Sequence, residues 1–264
     1  FGIDAQQDCQ STDFEAADGQ IEWAKGATDA EVRVWIGDDE LAERDERFEL
    51  RVEDPDGSTG SLLGRVEVVV VDDDRSAVYD ARELGVLPDA PGDQSAALQA
   101  ALDEAARSGR AVVTMAPGDY EISTVSLPSG TTLSAAGVRW HRPAFSSDTT
   151  VSLRLEQKGS APSLPSLVEG LTIDGRRDQQ GPYRDSEQQD AHLVVLQGDA
   201  AAGGLSLASL ESVHLLSGTG SGLYIGPNAE ATVCELSANE LWRDALQLNG
   251  GATKLRLRGL NATA

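Results

Sequence analysis

The chain is poor in cysteine, histidine and basic residues, and it lacks a long apolar run. Two of its 264 residues are cysteine and three are histidine, against 44 acidic and 21 basic residues, for a formal charge of −23. Cys9 and Cys234 lie far apart in sequence, so we predict two unpaired thiols rather than a disulfide framework or a metal cluster. The shortage of basic residues excludes nucleic acid as a partner, because phosphate binding needs a basic face. Without an apolar run long enough to cross a bilayer, we also expect no membrane span.

The acidic residues are concentrated in the first part of the chain. Residues 1–74 hold 22 Asp and Glu against 6 Lys and Arg, a net charge of −16, whereas residues 75–264 have a net charge of −7. This imbalance fits a cation-binding module at the start of the chain. We therefore predict two domains, residues 1–74 and residues 75–264.

Alternating polar and apolar residues predict antiparallel strands in the first domain. The alternation occurs at residues 20–23, 30–36 and 47–52, and residues 66–71 add a nearly continuous valine run. Such segments are typical of half-buried strands in a small β-sandwich. The acidic residues gather where these segments end. If the loops converge at one end of the sandwich, their carboxylates would suit calcium, and the alternative is a set of solvated acidic turns.

The order of these features resembles the Calx-β module over residues 3–74. Asp13-Phe14, Gly37-Asp38-Asp39, residues 43–48 and Asp72-Asp73-Asp74 correspond to the DY-type pair, the DDD-like loop, the EGDE-F segment and the closing DDD of that family. The resemblance implies calcium bound by seven acidic residues. These are Asp13, Asp38, Asp39, Glu43, Asp72, Asp73 and Asp74.

Two departures from the Calx-β pattern affect the prediction. Arg44 stands where the family has glycine or an acidic residue. We also expect the first strand of the family to be missing before Phe1. A sandwich without its edge strand would expose unpaired backbone groups, so another strand could add there.

The second domain begins with the pattern of a helix followed by many short strands. Asp93 as N-cap, an apolar stripe at helical spacing and Gly109 as a stop predict a helix over residues 93–109. Short apolar runs then alternate with turn residues. Gly222–Ile225 aligns with Ala245–Leu248 at a spacing of 23 residues, and Leu236 aligns with Leu260 at 24. This repeat predicts a solenoid of short strands.

Four segments of the second domain resemble the pectate-lyase-like family of right-handed parallel β-helices. They match its opening segment, its capping helix and motifs of its first coils, and they are Tyr79–Val86, Ser95–Ala101, Pro117–Tyr120 and Ser129–Leu133. The two resemblances together imply an all-β chain, with a partial immunoglobulin-like Calx-β sandwich and a right-handed parallel β-helix capped by an N-terminal α-helix. We expect this β-helix to be incomplete at its C-terminal end, where an uncapped coil would favour self-assembly or a partner.

The family resemblance implies an anionic polysaccharide or cell-surface glycan as partner, and an extracellular or cell-surface location. Alginate epimerases of this fold carry an Asp-Pro-His-Glu group after a Gly-x-Gly-[FL] segment. Here Gly220–Leu223 is followed by Tyr224–Pro227, so that group is absent. We therefore favour a non-catalytic adhesin, tailspike or matrix module that binds calcium, and that binds glycan or self-assembles. The alternative is a polysaccharide lyase or uronate-epimerase-like enzyme.

Candidate site residues follow from the needs of lyase chemistry and of sugar binding. A lyase needs a base and a cation beside the substrate carboxylate, and residues of the right types are His192, His214, Tyr224 and Arg176. The long insertion at residues 175–191 and an aromatic–cation pair suggest substrate binding by Arg176, Arg177, Tyr183, Arg184, Trp242 and Arg243. The alternatives are a solvated loop of mixed charge, structural histidines and a core tryptophan.

Overall fold

The computed structural model describes residues 2–4, 31–37, 41–53, 62–144, 152–156, 164–180, 191–249 and 253–263. Its contacts divide the chain into two compact units, the first formed by Phe1–Asp39 with Arg44–Asp73 and the second by Glu40–Glu43 with Asp74–Ala264. Strands dominate the described residues, which confirms the predicted all-β class. No helix within these ranges is long and apolar enough to cross a membrane.

The first unit contains an antiparallel sheet in the order β1-β2-β3, formed by Gly2–Asp4, Glu46–Glu53 and Leu62–Val70. Phe48 lies opposite Val68 and is 3% exposed, so it anchors a small apolar cluster of this sheet. The strands predicted at residues 47–52 and 66–71 are thus confirmed.

One predicted strand of the first unit is wrong. Within residues 31–37 only Ile36 forms a β bridge. Trp35 and Ile36 are 64% and 45% exposed, so the alternation in this segment does not bury one face against a core. The strand predicted at residues 20–23 lies outside the described residues.

The second unit consists of parallel strands preceded by a helix. The helix is α1 (Ser95–Arg107), and 3₁₀ turns form at Ala81–Leu84 and Arg177–Gln179. The strands are β4 (Ala77–Asp80), β5 (Ala111–Thr114), β6 (Gly118–Glu121), β7 (Val125–Ser126), β8 (Thr131–His141), β9 (Leu153–Glu156), β10 (Ser166–Asp174), β11 (Val194–Gln197), β12 (Ser206–Glu211), β13 (His214–Leu216), β14 (Leu223–Ile225), β15 (Ala229–Asn239), β16 (Leu246–Leu248) and β17 (Thr253–Thr263).

Parallel pairing at a nearly constant spacing builds these strands into a coil. One sheet has the order β12-β15-β13-β10-β8-β5-β4, with β17 beside β15 and β6 beside β8, and a five-stranded sheet has the order β16-β14-β11-β9-β7. Tyr224 pairs with Gln247, 23 residues further along, and Leu236 pairs with Leu260, 24 residues further along. The predicted repeat and the predicted parallel β-helix are therefore confirmed.

The core lies inside the coil, where every second residue of a strand points. Leu210 on β12, Val233 on β15 and Leu257 on β17 occupy one inward row of the register. Leu210 and Val233 are each 1% exposed, whereas Leu257 is 38% exposed. The difference arises because, among the described strands, β17 pairs with β15 alone.

The chain turns one corner of the coil at residues with a positive φ. These residues have φ between 49° and 74°, and they are Gly137, Gly170, Ser212, Glu235 and Gly259. Position 170 requires glycine, because a Cβ there would lie 2.8 Å from the Cα of Ala136. Ser212 and Glu235 adopt the left-handed conformation despite a cost of about 1–2 kcal/mol per residue. The Ser212 hydroxyl donates a hydrogen bond to Glu235 Oε2 at 2.9 Å, which offsets part of that cost.

Helix α1 covers the first coil, as predicted, but it begins at Ser95 rather than at residue 93. Leu98 and Leu102 are completely buried within the core. Asp93 caps the helix from outside, because its Oδ1 accepts the backbone N–H of Ser95 at 2.9 Å and its Oδ2 accepts the Ser123 hydroxyl at 2.7 Å. A single carboxylate thus ties α1 to the first coil.

This cap predicts a specific pH dependence of stability. Burial raises the pKa of Asp93, but hydrogen bonds from Ser95 and Ser123 outweigh burial and hold the pKa below its ordinary value of 3.8. A carboxyl whose pKa is lowered by folding stabilises the fold above the unfolded pKa, and that contribution is lost as pH falls through the folded pKa. We expect Asp93→Asn to cost about 1 kcal/mol at neutral pH and to flatten the loss of stability in acid.

Urea unfolding midpoints measured from about pH 3 to about pH 7 would test this prediction. The matched control is Asp103→Asn, at an exposed position of the same helix. We expect the control to keep the acid slope of the natural protein. An unchanged acid slope in Asp93→Asn would contradict the proposed cap.

Candidate functional site

The five-stranded sheet carries a row of side chains on its outer face. Arg154 on β9, Val195 on β11, Tyr224 on β14 and Gln247 on β16 occupy equivalent positions of the parallel register. The residues that flank them in sequence, such as Leu153, are buried, so alternation directs the row outward. Adjacent strands lie about 4.8 Å apart. The row therefore brings side chains from four successive coils onto one surface.

An aromatic stack lies beside the middle of this row. The rings of His192 and Tyr224 are stacked, with centroids 4.6 Å apart and planes inclined by 12°. His192 is only 4% exposed, whereas Tyr224 is half-buried. Asn249 Nδ2 donates a hydrogen bond to the Tyr224 hydroxyl at 2.7 Å. The phenol is thus held at both its ring and its hydroxyl, and Tyr224 is the more accessible member of the stack.

A charged pair occupies the β9 end of the row. Arg154 Nη1 lies 2.8 Å from Glu156 Oε1, and their side chains are 33% and 13% exposed. Gln197 Nε2, one coil further along, donates to the same oxygen of Glu156 at 3.0 Å. Arginine has five N–H donors, so Arg154 keeps donors beyond the one directed at Glu156. This end of the row can therefore meet an anionic group.

Two predicted substrate-binding residues come together at a corner of the coil. The guanidinium carbon of Arg177 lies 5.9 Å from the centre of the Trp242 ring, within the range of a cation–π interaction. The backbone N–H of Trp242 donates to the carbonyl of Gly218 at 3.0 Å. Arg243 follows directly, and its buried Nε has no hydrogen-bond partner among the described residues. Tyr183 and Arg184 lie outside the described residues.

The remaining catalytic candidates lie on different strands from the stack. His214 begins β13, its side chain is exposed, and its Nδ1 lies 2.6 Å from the Ser237 hydroxyl. Arg176 follows β10 with a φ of 46°, and its backbone N–H donates to Asp174 Oδ1 at 2.9 Å. The structure therefore brings His192 and Tyr224 together and separates His214 and Arg176 from them by sheet or by corner.

Arg176 belongs to a mixed-charge cluster on the second halves of the long strands. Its Nη1 lies 3.9 Å from Glu121 Oε2, and Arg139 Nη2 lies 2.5 Å from Asp174 Oδ2. Burial lowers the pKa of His141 in this cluster, and the charge of Arg176 lowers it further, against the opposing effect of nearby carboxylates. Opposite charges meet their partners here, which is the solvated mixed-charge surface named above as the alternative for Arg176.

The predicted calcium ligands are only partly described. Asp13, Asp38 and Asp39 lie outside the described residues. Asp74 does not fit a calcium ligand, because its carboxylate forms an ion pair with Arg110. Glu43 is 9% exposed and its carbonyl accepts Arg75 Nη1 at 3.1 Å. Across the residues that the structure describes, no group of three or more His, Cys, Asp or Glu side chains is placed to hold a metal ion.

The sequence analysis missed several residues of the outer row and its surroundings. They are Arg154, Glu156, Gln197, Gln247 and Asn249. The signal was present in part, because the repeat aligns Tyr224 with Gln247. Extending that alignment to the alternating Leu153-Arg154-Leu155-Glu156 segment would have placed Arg154 on the same face.

Comparison with known proteins supports the first predicted resemblance directly. Residues 4–75 match the Calx-beta domain family. No curated protein matches the chain.

Solved structures similar to this chain are proteins of low sequence identity. The A-module of an Azotobacter vinelandii mannuronan C-5 epimerase is 20% identical, with 70% of this chain and 52% of that module covered and a TM-score of 0.46. A putative glycosyl hydrolase from Parabacteroides merdae is 14% identical, with 70% and 97% covered and a TM-score of 0.38. An iota-carrageenase from A. fortis is 13% identical, with 73% and 42% covered and a TM-score of 0.40. The chain spans about half the length of the epimerase module.

Proposed function

We propose that the outer face of the five-stranded sheet binds an acidic polysaccharide, and that the protein is a non-catalytic extracellular or cell-surface module. The observation that carries the proposal is the continuous outer row from Arg154 to Gln247 across four coils. An extended saccharide lying along the coil would meet a new set of side chains at each strand. The resemblance of the second domain to pectate-lyase-like proteins supports the same substrate class.

Each part of the row suits a different part of an acidic sugar. Arg154 offers N–H donors to a carboxylate, and charge-assisted hydrogen bonds of this kind are the strong ones. The amides of Gln197 and Asn249 can donate to and accept from sugar hydroxyls. Tyr224 presents a fixed ring edge and hydroxyl between them. The row thus combines one cation with several neutral polar groups, as recognition of a uronate chain requires.

The proposal predicts that Arg154→Gln weakens binding of an oligouronate about tenfold, since a hydrogen bond to a charged group contributes about 1.5–3 kcal/mol. Binding would be measured by calorimetric titration of the whole chain at fixed salt. The matched control is Arg139→Gln on β8, because Arg139 is also ion-paired but lies on the other sheet. The control should bind like the natural protein. Equal weakening by both substitutions would indicate non-specific attraction and would contradict the proposed site.

A second candidate function is β-elimination or epimerisation of a uronate, and the His192–Tyr224 stack beside Arg154 favours it. In elimination, a base removes the proton on the carbon next to the carboxylate, and the electron pair forms a carbon–carbon double bond as the glycosidic oxygen leaves. Tyr224 is the accessible group for proton transfer and Arg154 would neutralise the carboxylate. His192 would act through the ring of Tyr224, because it is almost completely buried.

Ultraviolet absorbance during incubation with uronate polysaccharides distinguishes the two candidates. A non-catalytic module produces no unsaturated product, so the absorbance should stay constant. A rise that Tyr224→Phe abolishes would favour the lyase, and proton exchange beside the carboxylate without a rise would favour the epimerase. Either result would overturn the non-catalytic assignment.

We also propose that residues 4–75 bind calcium, which the match to the Calx-beta domain family supports. Asp74 is removed from the predicted ligand set by its ion pair with Arg110. Calcium is a hard cation that prefers several carboxylate and carbonyl oxygens, so the remaining predicted residues are of a suitable type.

A further inference from the structure

A cavity of about 260 Å³ lies on the other sheet of the coil, along β12, β15 and β17. The side chains that line it occupy the outward positions of these strands. They form two rows of the register, Leu207–Glu230–Lys254 and Ser209–Thr232–Arg256. This surface is separate from the five-stranded sheet to which polysaccharide binding was assigned above.

The first row holds a closed ion pair. Lys254 Nζ lies 2.7 Å from Glu230 Oε1, so the charge of Lys254 is already matched. Leu207 continues the row on β12 and, together with Pro165, gives the cavity an apolar side. This part of the cavity suits the carbon skeleton and hydroxyls of a sugar.

The second row holds a cation that the described residues leave without a counter-ion. Arg256 is exposed at the cavity wall, and within the described ranges no carboxylate forms an ion pair with it. The chain has 44 acidic residues, 23 more than its basic residues, so an unmatched guanidinium is unusual in this protein. The hydroxyl-bearing residues Ser209 and Thr232 lie next to Arg256 in the same row.

We propose that this cavity is a second saccharide site, which binds a sugar unit that carries an oxyanion, and in particular the carboxylate of a uronate. The planar guanidinium of Arg256 matches the two oxygens of a carboxylate, and Ser209 and Thr232 supply hydroxyl donors beside it. The Lys254–Glu230 pair meets the sugar hydroxyls, and Leu207 packs against the apolar face of the ring. With one site on each sheet, a single module would hold two polysaccharide segments at once.

Fluorescence anisotropy of a labelled oligouronate, titrated with the whole chain, tests the second site. We expect Arg256→Gln to weaken binding about tenfold, as loss of a hydrogen bond to a charged group implies. The matched control is Arg258→Gln, because Arg258 is exposed on the same strand two residues further along and does not line the cavity. The control should bind like the natural protein. Thr232→Val should weaken binding less than Arg256→Gln does.

Three outcomes decide the assignment. Equal effects of Arg256→Gln and Arg258→Gln, or no effect of either, would overturn the site. Tighter binding of a sulfated oligosaccharide than of an oligouronate of equal length would overturn the choice of carboxylate. The second site does not rest on the first, because Arg154→Gln tests the five-stranded sheet separately, and either substitution can be silent while the other weakens binding.

Discussion

Replacing Gly198 with alanine is expected to destabilise the second unit by about 3 kcal/mol or more, as overpacking against rigid neighbours does. Gly198 follows β11 directly, and its backbone N–H donates to the carbonyl of Pro227 at 3.0 Å. A Cβ at this position would lie 2.2 Å from the carbonyl oxygens of both Asn228 and Gly204. Both are backbone atoms of neighbouring turns, so neither can move away without breaking the coil at this corner.

The matched control for Gly198→Ala is Gly203→Ala, a few residues further along. Gly203 has a φ of 75°, but a Cβ there would meet no atom within 4 Å. The control therefore isolates the strain of the left-handed conformation, about 1–2 kcal/mol. Urea unfolding followed by far-ultraviolet circular dichroism gives both values. Equal losses for the two variants would show that strain, rather than the close backbone approach, dominates at position 198.

Truncation of Leu210 is the second large effect, with an expected loss of about 2–5 kcal/mol for Leu210→Ala. Leu210 lies on the inward side of β12, is 1% exposed and belongs to the main core cluster. Its neighbour in the row, Val233, is held by pairing on both sides of β15, so the gap left by the truncation cannot close easily. Removing the side chain therefore loses its burial and leaves a cavity.

Leu257→Ala provides the comparison within the same inward row. Leu257 is 38% exposed, so less apolar surface is buried there and less is lost on truncation. We expect less than half the effect of Leu210→Ala, measured by the same unfolding titration. If the two truncations cost the same, the last described coil is covered as well as the inner ones in solution.

Much of the second unit could be predicted because its local signals agree. The stripe of apolar residues gives helix α1, and the spacing of 23 and 24 residues gives the register of β14 with β16 and of β15 with β17. A parallel coil repeats one environment, so a match at one position carries along the strand. The first unit offered only alternation, and alternation at residues 31–37 did not lead to a strand, because those residues lack a core to cover.

The functional surfaces were harder to predict, because they depend on which outward side chains share a face. His192 and Tyr224 are 32 positions apart in sequence and meet only through the pairing of β11 with β14. His214 looked equivalent to His192 as a residue type, yet it lies on a different sheet. Arg154 and Arg256 look like ordinary surface charges in the sequence. Their neighbours distinguish them, since Arg154 borders an aromatic stack and Arg256 borders a cavity.

The pairing of each strand with one about 23 residues away also determines the order in which the coil can form. Every coil uses its predecessor as a template, so each step closes a loop of similar length and at similar entropy. Helix α1 and the first coil precede the others in sequence, so they are complete while later coils are still being synthesised. A ribosome would therefore add finished rungs to an already capped core, and long stretches of unpaired strand would not accumulate.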